Sequence, residues 1–144
     1  MAGCPAAKLI WEKNKMEIPK GHQTVMPYLM MENAKDFIGF IKNVFGAEMM
    51  HENYNEDGTA GHCEASIGGS TIMFSNSRGE WKPATGNMFV YVEDADKTYQ
   101  TAVFEGAVKI MEPADQDYGR SCGVTDPFGN VWWITSVNGK AENA

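Results

Sequence analysis

From Thr24 onward the apolar positions change period several times, and each change marks an element. "TVMPYLMM" at 24–31 is an almost continuous apolar run and predicts a buried strand. Asn33 follows as a helix N-cap, with Asp36 at the third helical position as a variant capping box. Phe37, Ile38, Ile41, Val44 and Phe45 then recur on one helical face, and Gly46 stands where a left-handed C-terminal residue is wanted. The helix is therefore about three turns long. Beyond it "AEMMHENY", "AGHCEASI" and "STIMFS" read as three strands joined by turns at Asp57-Gly58 and Gly68-Gly69.

The same order then recurs. "NMFVYVE" predicts a strand, Asp94 an N-cap, Tyr99, Ala102 and Val103 an apolar helical stripe, and Gly106 its stop. "AVKIME", "SCGVT" and "NVWWITS" complete three more strands. "FGAEMM" at 45–50 and "EGAVKIM" at 105–111 occupy equivalent points with the glycine in register, so the chain contains an internal duplication. The expected fold is α+β: two tandem βαβββ modules, 24–76 and 87–137, joined by a linker at 77–86 within one domain spanning 23–138. Residues 1–22 form an arm, whose "KLIW" could pack on a neighbour, and 139–144 a tail. A four-stranded sheet with one helix on one face leaves its other face uncovered, so two such curved mixed sheets can pair around a cleft.

Composition narrows the function classes. The 43% hydrophobic content of 144 residues can fill one core. A net charge of −7, with lysines and arginines scattered, lacks the footprint a phosphate backbone requires, so no nucleic-acid partner is expected. No apolar run approaches the ~20 residues of a membrane helix and no secretion signal is visible, so the expectation is a soluble cytoplasmic protein without a membrane partner. Cys4, Cys63 and Cys122 are odd in number and widely spaced, which fits a reducing cytosol. Cys63 and Cys122 fall inside strand patterns and read as inert packing. The ten methionines serve either as gap-fillers in the core or as the walls of a deformable pocket.

"DYGRSCGVTDPFGNVWWI" at 117–134 holds the sharpest local signal. Asp126-Pro127 initiates a turn, Gly129 permits a positive φ, and Asn130 can bond back to the loop. The twofold strand–helix–three-strand order, with "YGR" at 118–120 and "DPFGN" at 126–130, resembles the vicinal oxygen chelate superfamily, which includes glyoxalase I, extradiol dioxygenases and the bleomycin and fosfomycin resistance proteins. "MPYLMMENAKDFIGFIKNVFGAEMM" followed by "GHCEASIGGSTIMFS" is most similar to the PhnB-like branch, and the likeness runs from Thr24 to Val137. In metal-dependent members the resemblance implies ligands at four positions, occupied here by Met26, Met73, Asn87 and Trp133. Two thioethers, an amide and an indole are not the imidazoles and carboxylates that catalytic zinc or non-haem iron requires. The expectation is a site with no metal and no cofactor.

By alternation the cleft-facing set includes Met26, Tyr28 and Met30 from the first strand, Met73 and Ser75 from the fourth, Asn87, Phe89 and Tyr91 from the fifth, and Trp133 from the last. These residues either line a small-molecule pocket or fill the space between sheets. His62 and Glu64 lie two apart and share a face, as an acid–base pair, as part of a relocated metal site with His22 or His51, or as an exposed histidine bonded to its neighbour. Arg120 can fork-bond an anionic ligand, or pair with Asp117 or Asp126. Trp81 and Arg78 in the linker can form a lid or a dimer contact. Three functions compete: a metal-free binder of a partly aromatic small molecule, an enzyme working through His62 and Glu64, and an interaction module. The first is preferred, as a homodimer.

Overall fold

In the computed structural model, which describes residues 16–137, the chain forms β1 (Tyr28–Met31), α1 (Ala34–Phe45), β2 (Glu48–His51), β3 (Cys63–Ile67), β4 (Ser70–Asn76), β5 (Asn87–Tyr91), α2 (Ala95–Phe104), β6 (Val108–Gln116), β7 (Gly119–Thr125) and β8 (Val131–Ser136). The strands make two sheets of identical topology, β1-β4-β3-β2 and β5-β8-β7-β6. In each the first pair is parallel and the rest antiparallel. The fold is α+β with two βαβββ modules. Residues 1–15, with Cys4 and "KLIW", and the tail at 139–144 lie outside the described residues.

Alternation sorts each sheet into two faces. Leu29, Met31, Cys63, Ala65, Ile72 and Phe74 of the first sheet, and Cys122, Val124, Trp132 and Ile134 of the second, are buried on the helix side. Phe37 of α1 meets Phe74 edge-on at 4.9 Å and Phe128, from the β7–β8 turn, at 5.6 Å; Phe45 lies 4.5 Å from Trp132. One helix thus ties both modules into one apolar core. Removing that much aromatic surface from water is the main stabilising term, at roughly 25 cal/mol per Å² buried. The opposite faces are left open, with Tyr28 45%, Phe89 50% and Tyr91 68% exposed.

Four local expectations are corrected. The first strand begins at Tyr28 rather than Thr24, because Pro27 has no N–H to give the ladder and supplies only its carbonyl, to Met73 N. Asn33 does not cap α1 with its side chain: it adopts the left-handed conformation, φ 58°, and Asn76 Oδ1 accepts from Ala34 N instead. The second strand ends at His51, and Tyr54 pairs in an isolated bridge with Ala60. Val103 points to solvent, since the apolar stripe of α2 narrows to Ala95, Tyr99 and Ala102. Gly46 and Gly106, at φ 66° and 105°, end the helices at equivalent points of the repeat.

Candidate functional site

Cross-strand register places the chemistry. Tyr28 of β1 pairs with Met73 of β4, Met73 with Glu64 of β3, and Glu64 with His51 of β2. Paired residues share a face, so phenol, thioether, carboxylate and imidazole form one row across the open side of the first sheet. The next row on that face is Met30 and Ser75, and His62 enters beside it from the bend before β3.

A continuous hydrogen-bonded chain joins these side chains. His62 Nε2 lies 2.7 Å from Glu64 Oε2, His22 Nε2 lies 2.8 Å from Glu64 Oε1, and Tyr28 Oη lies 2.8 Å from His62 Nδ1. The hydrogen bond from His22, and then that from His62, holds the Glu64 carboxyl below the usual carboxylate range. An ionised carboxylate only accepts, so both imidazoles present N–H from Nε2. In the neutral tautomer with Nε2–H, the His62 Nδ1 lone pair accepts a hydrogen bond from the Tyr28 hydroxyl. His51 completes the group, its ring 5.9 Å from that of His62. All three histidines of the sequence therefore gather on one sheet face.

His22 reaches Glu64 because the segment ahead of β1 is tied to the end of the sheet. The Gln23 amide donates to Thr71 O and accepts from Thr71 N, both at 3.2 Å, and the Thr71 hydroxyl donates to Gly21 O. This clamp was not foreseen from the sequence; Gln23 and Thr71 are 48 residues apart and carry no local pattern.

Beside the chain opens a groove of about 460 Å³, with Tyr28, Met30, His62, Ser75, Arg78 and Trp81 among its walls. A linker bridge, Met30 to Ala84, and a second between Arg78 and Trp81 fold the linker over this side, so Trp81, 61% exposed, stands at the rim. Met26 is half-buried ahead of β1 and, like Met73, is not part of the groove wall. A larger cavity of about 650 Å³ follows the seam between the modules, walled by Val44, Phe45, Ile72, Val90 and Trp132. Gln23, Thr71, Glu93 and Thr98 also line it, but no histidine does.

The second sheet repeats the row with different residues. Phe89 pairs with Trp133, Trp133 with Gly123, and Gly123 belongs to the strand facing Met111. Gly123 thus stands where the first module has Glu64, and the indole of Trp133 covers it: a Cβ at Gly123 would come within 2.4 Å of the ring. Trp133 Nε1 donates to Asn87 Oδ1 at 2.7 Å. Phe89 and Tyr91 meet edge-on at 5.1 Å alongside, with Tyr118 next to Phe89. The result is an exposed aromatic platform.

Arg120 is turned to neither Asp117 nor Asp126. Its guanidinium is bidentate to Asp96 at the start of α2, at 2.6 and 3.0 Å, and bonds Asp115 at 3.1 Å. Those partners occupy its fork in the structure. Asp126 instead accepts from Phe128 N, Asn130 N, Asn130 Nδ2 and Trp132 Nε1, and Asn130 Oδ1 accepts from Gly86 N, so the turn is bonded internally and to the linker.

A family model described as the glyoxalase/bleomycin resistance protein/dioxygenase superfamily matches residues 22–134. The chain belongs to that superfamily. Among solved structures it is similar to TioX from Micromonospora sp. ML1, with 20% identity, TM-score 0.65, and coverage of 79% of this chain and 98% of that one. It is similar also to the PhnB protein from Bacillus cereus, at 18% identity and TM-score 0.65 over 80% and 100% of the two chains. The fosfomycin resistance protein FosX from Listeria monocytogenes, in complex with Mn(II) and sulfate, shares 15% identity at TM-score 0.61 over 83% and 93%. No curated protein matches the sequence. These likenesses show the fold.

Metal-dependent members of the superfamily would place ligands at positions held here by Met26, Met73, Asn87 and Trp133. That donor set does not fit a catalytic divalent ion, and the one amide oxygen in it accepts the Trp133 N–H. Among the described residues, no group of three or more histidine, cysteine, aspartate or glutamate side chains has the geometry to hold a metal ion. Nor is any helix among them long and apolar enough to cross a membrane.

Proposed function

We propose that this chain is a metal-independent small-molecule-binding protein of the superfamily, allied to its PhnB-like branch and acting as a cytoplasmic homodimer without a cofactor. The observation that carries the reading is the replacement of the second module's acidic position by Trp133, seated over Gly123 and bonded to Asn87. An indole in that place offers a stacking surface where relatives would offer a charge. Phe89, Tyr91 and Trp133 on one sheet, and Tyr28, Met30, Ser75 and Trp81 beside the groove on the other, suit a planar, partly aromatic ligand. Exposed apolar side chains on both open faces support pairing of two copies, each lending one face to the other.

The test is a thermal-shift screen with planar aromatic compounds on protein purified without chelators, alongside elemental analysis and sedimentation. Ligand bound to the native state raises the midpoint. Stoichiometric zinc, iron, nickel or manganese would overturn the metal-independent reading, and a strictly monomeric species would overturn the dimer.

A further inference from the structure

We propose that the groove on the first sheet is a general-base site in which the Tyr28 phenol is the group that meets the ligand. The substrate class is a planar aromatic molecule bearing an acidic C–H bond. This rests on the reading of that open face as a ligand surface and adds a reaction to it.

The argument is geometric. Tyr28 is half-exposed on the groove wall, and its oxygen lies 2.8 Å from His62 Nδ1, the ring nitrogen not bonded to Glu64. Behind His62 stands Glu64, and behind Glu64 stands His22, so three groups lie in series with a phenol at the open end. A buried structural bridge would not need an exposed phenol as its terminus. The second module supplies a control within the same chain: its equivalent row, Phe89, Trp133 and Gly123, has the shape of the row without its titratable groups. Only the first sheet combines an aromatic wall with a proton path.

The step balances without a cofactor. As Tyr28 Oη takes the substrate proton, its own proton passes to His62 Nδ1. The resulting imidazolium is balanced by the Glu64 carboxylate. The electron pair of the broken C–H bond moves into the substrate toward its most electronegative atom. The Arg78 guanidinium at the groove rim supplies positive charge for that developing anion. Glu64 is a positioning residue, since it fixes the tautomer of His62 and touches no substrate.

The probe is 5-nitrobenzisoxazole, a flat aromatic carbon acid. Loss of its C–H proton forms a nitrile, breaks the ring N–O bond and releases a coloured phenolate. The wild-type protein is expected to accelerate this elimination over buffer. Tyr28→Phe and His62→Gln should each reduce the rate by about a hundredfold or more, within the range typical of general-base catalysis. Glu64→Gln should reduce it about tenfold and, in nitrogen-resolved NMR of the imidazoles, shift the His62 tautomer; Glu112→Gln, exposed on β6 of the second sheet, should leave both unchanged. A thermal shift with the probe but no acceleration overturns the proton-transfer inference and leaves the binding reading standing. Absence of both removes the binding surface as well. Full activity in Tyr28→Phe with loss in His62→Gln would overturn the role given to the phenol.

Discussion

The indole of Trp133 occupies the space above Gly123 on the neighbouring strand, and the two residues are cross-strand partners in the β7–β8 register. Neither makes structural sense alone: glycine in a strand interior weakens it, and an indole on an open face needs a seat. Gly123→Ala should therefore push the ring off and break its bond to Asn87. The expected cost is about 1–3 kcal/mol, as for overpacking elsewhere, with weakened binding of aromatic compounds. Urea denaturation and the ligand-induced thermal shift check both effects.

The start of α1 makes an opposite pair of predictions for two asparagines. Asn76 Oδ1 accepts from Ala34 N, so Asn76→Ala should lose about 1 kcal/mol, the usual cost of a missing cap. Asn33 contributes no side-chain cap and sits at φ 58°, so Asn33→Gly should be neutral or slightly stabilising. Equal losses in chemical denaturation would contradict the assignment of the cap to Asn76.

Stability should depend on pH through Glu64. The hydrogen bonds from His22 and His62 depress its folded-state pKa below the ordinary value of 4.5. A depressed carboxylate contributes stability that is present above its unfolded pKa and lost as pH falls through the folded one. Between about pH 5 and pH 3 the unfolding free energy of the wild type should accordingly fall more steeply than that of Glu64→Gln. Parallel slopes would mean that the carboxylate gains nothing from its two imidazoles.

The two described cysteines should be inert in the native state. Both are fully buried; burial pushes the Cys122 thiol up to about 11 and raises that of Cys63 as well. Because the thiolate is the reactive form, neither should react with an aromatic disulfide reagent until the protein unfolds. Thiol counting in a Cys4→Ser background, before and after denaturant, measures this directly.

Much of the architecture was legible in the chain. The α1 stripe from Phe37 to Val44, the glycines at 46 and 106, and the turn at Asp126–Asn130 are local signals, each set by the steric and hydrogen-bonding properties of a few adjacent residues. The duplication followed from them, since equivalent elements must repeat equivalent punctuation. Asn33 misled because its residue type suits both an N-cap and a left-handed turn, and the choice fell to Asn76, which lies 42 residues from the Ala34 N–H it accepts. Arg120 misled similarly, because Asp117, its nearest acid in sequence, is not among the partners that α2 and β6 bring to it, Asp96 and Asp115.

By itself, then, the sequence determined most of the helix and strand segments and that they repeat. The pairing of His62 with Glu64 was readable too, since two residues apart on a strand means one face. Only the tertiary structure decided that Tyr28 and His22 complete the chain at either end, that Trp133 rests on Gly123, and that α1 joins both modules. Those relationships depend on strand order and register across dozens of residues, which arise from the packing of the whole core and leave no periodic trace along the chain.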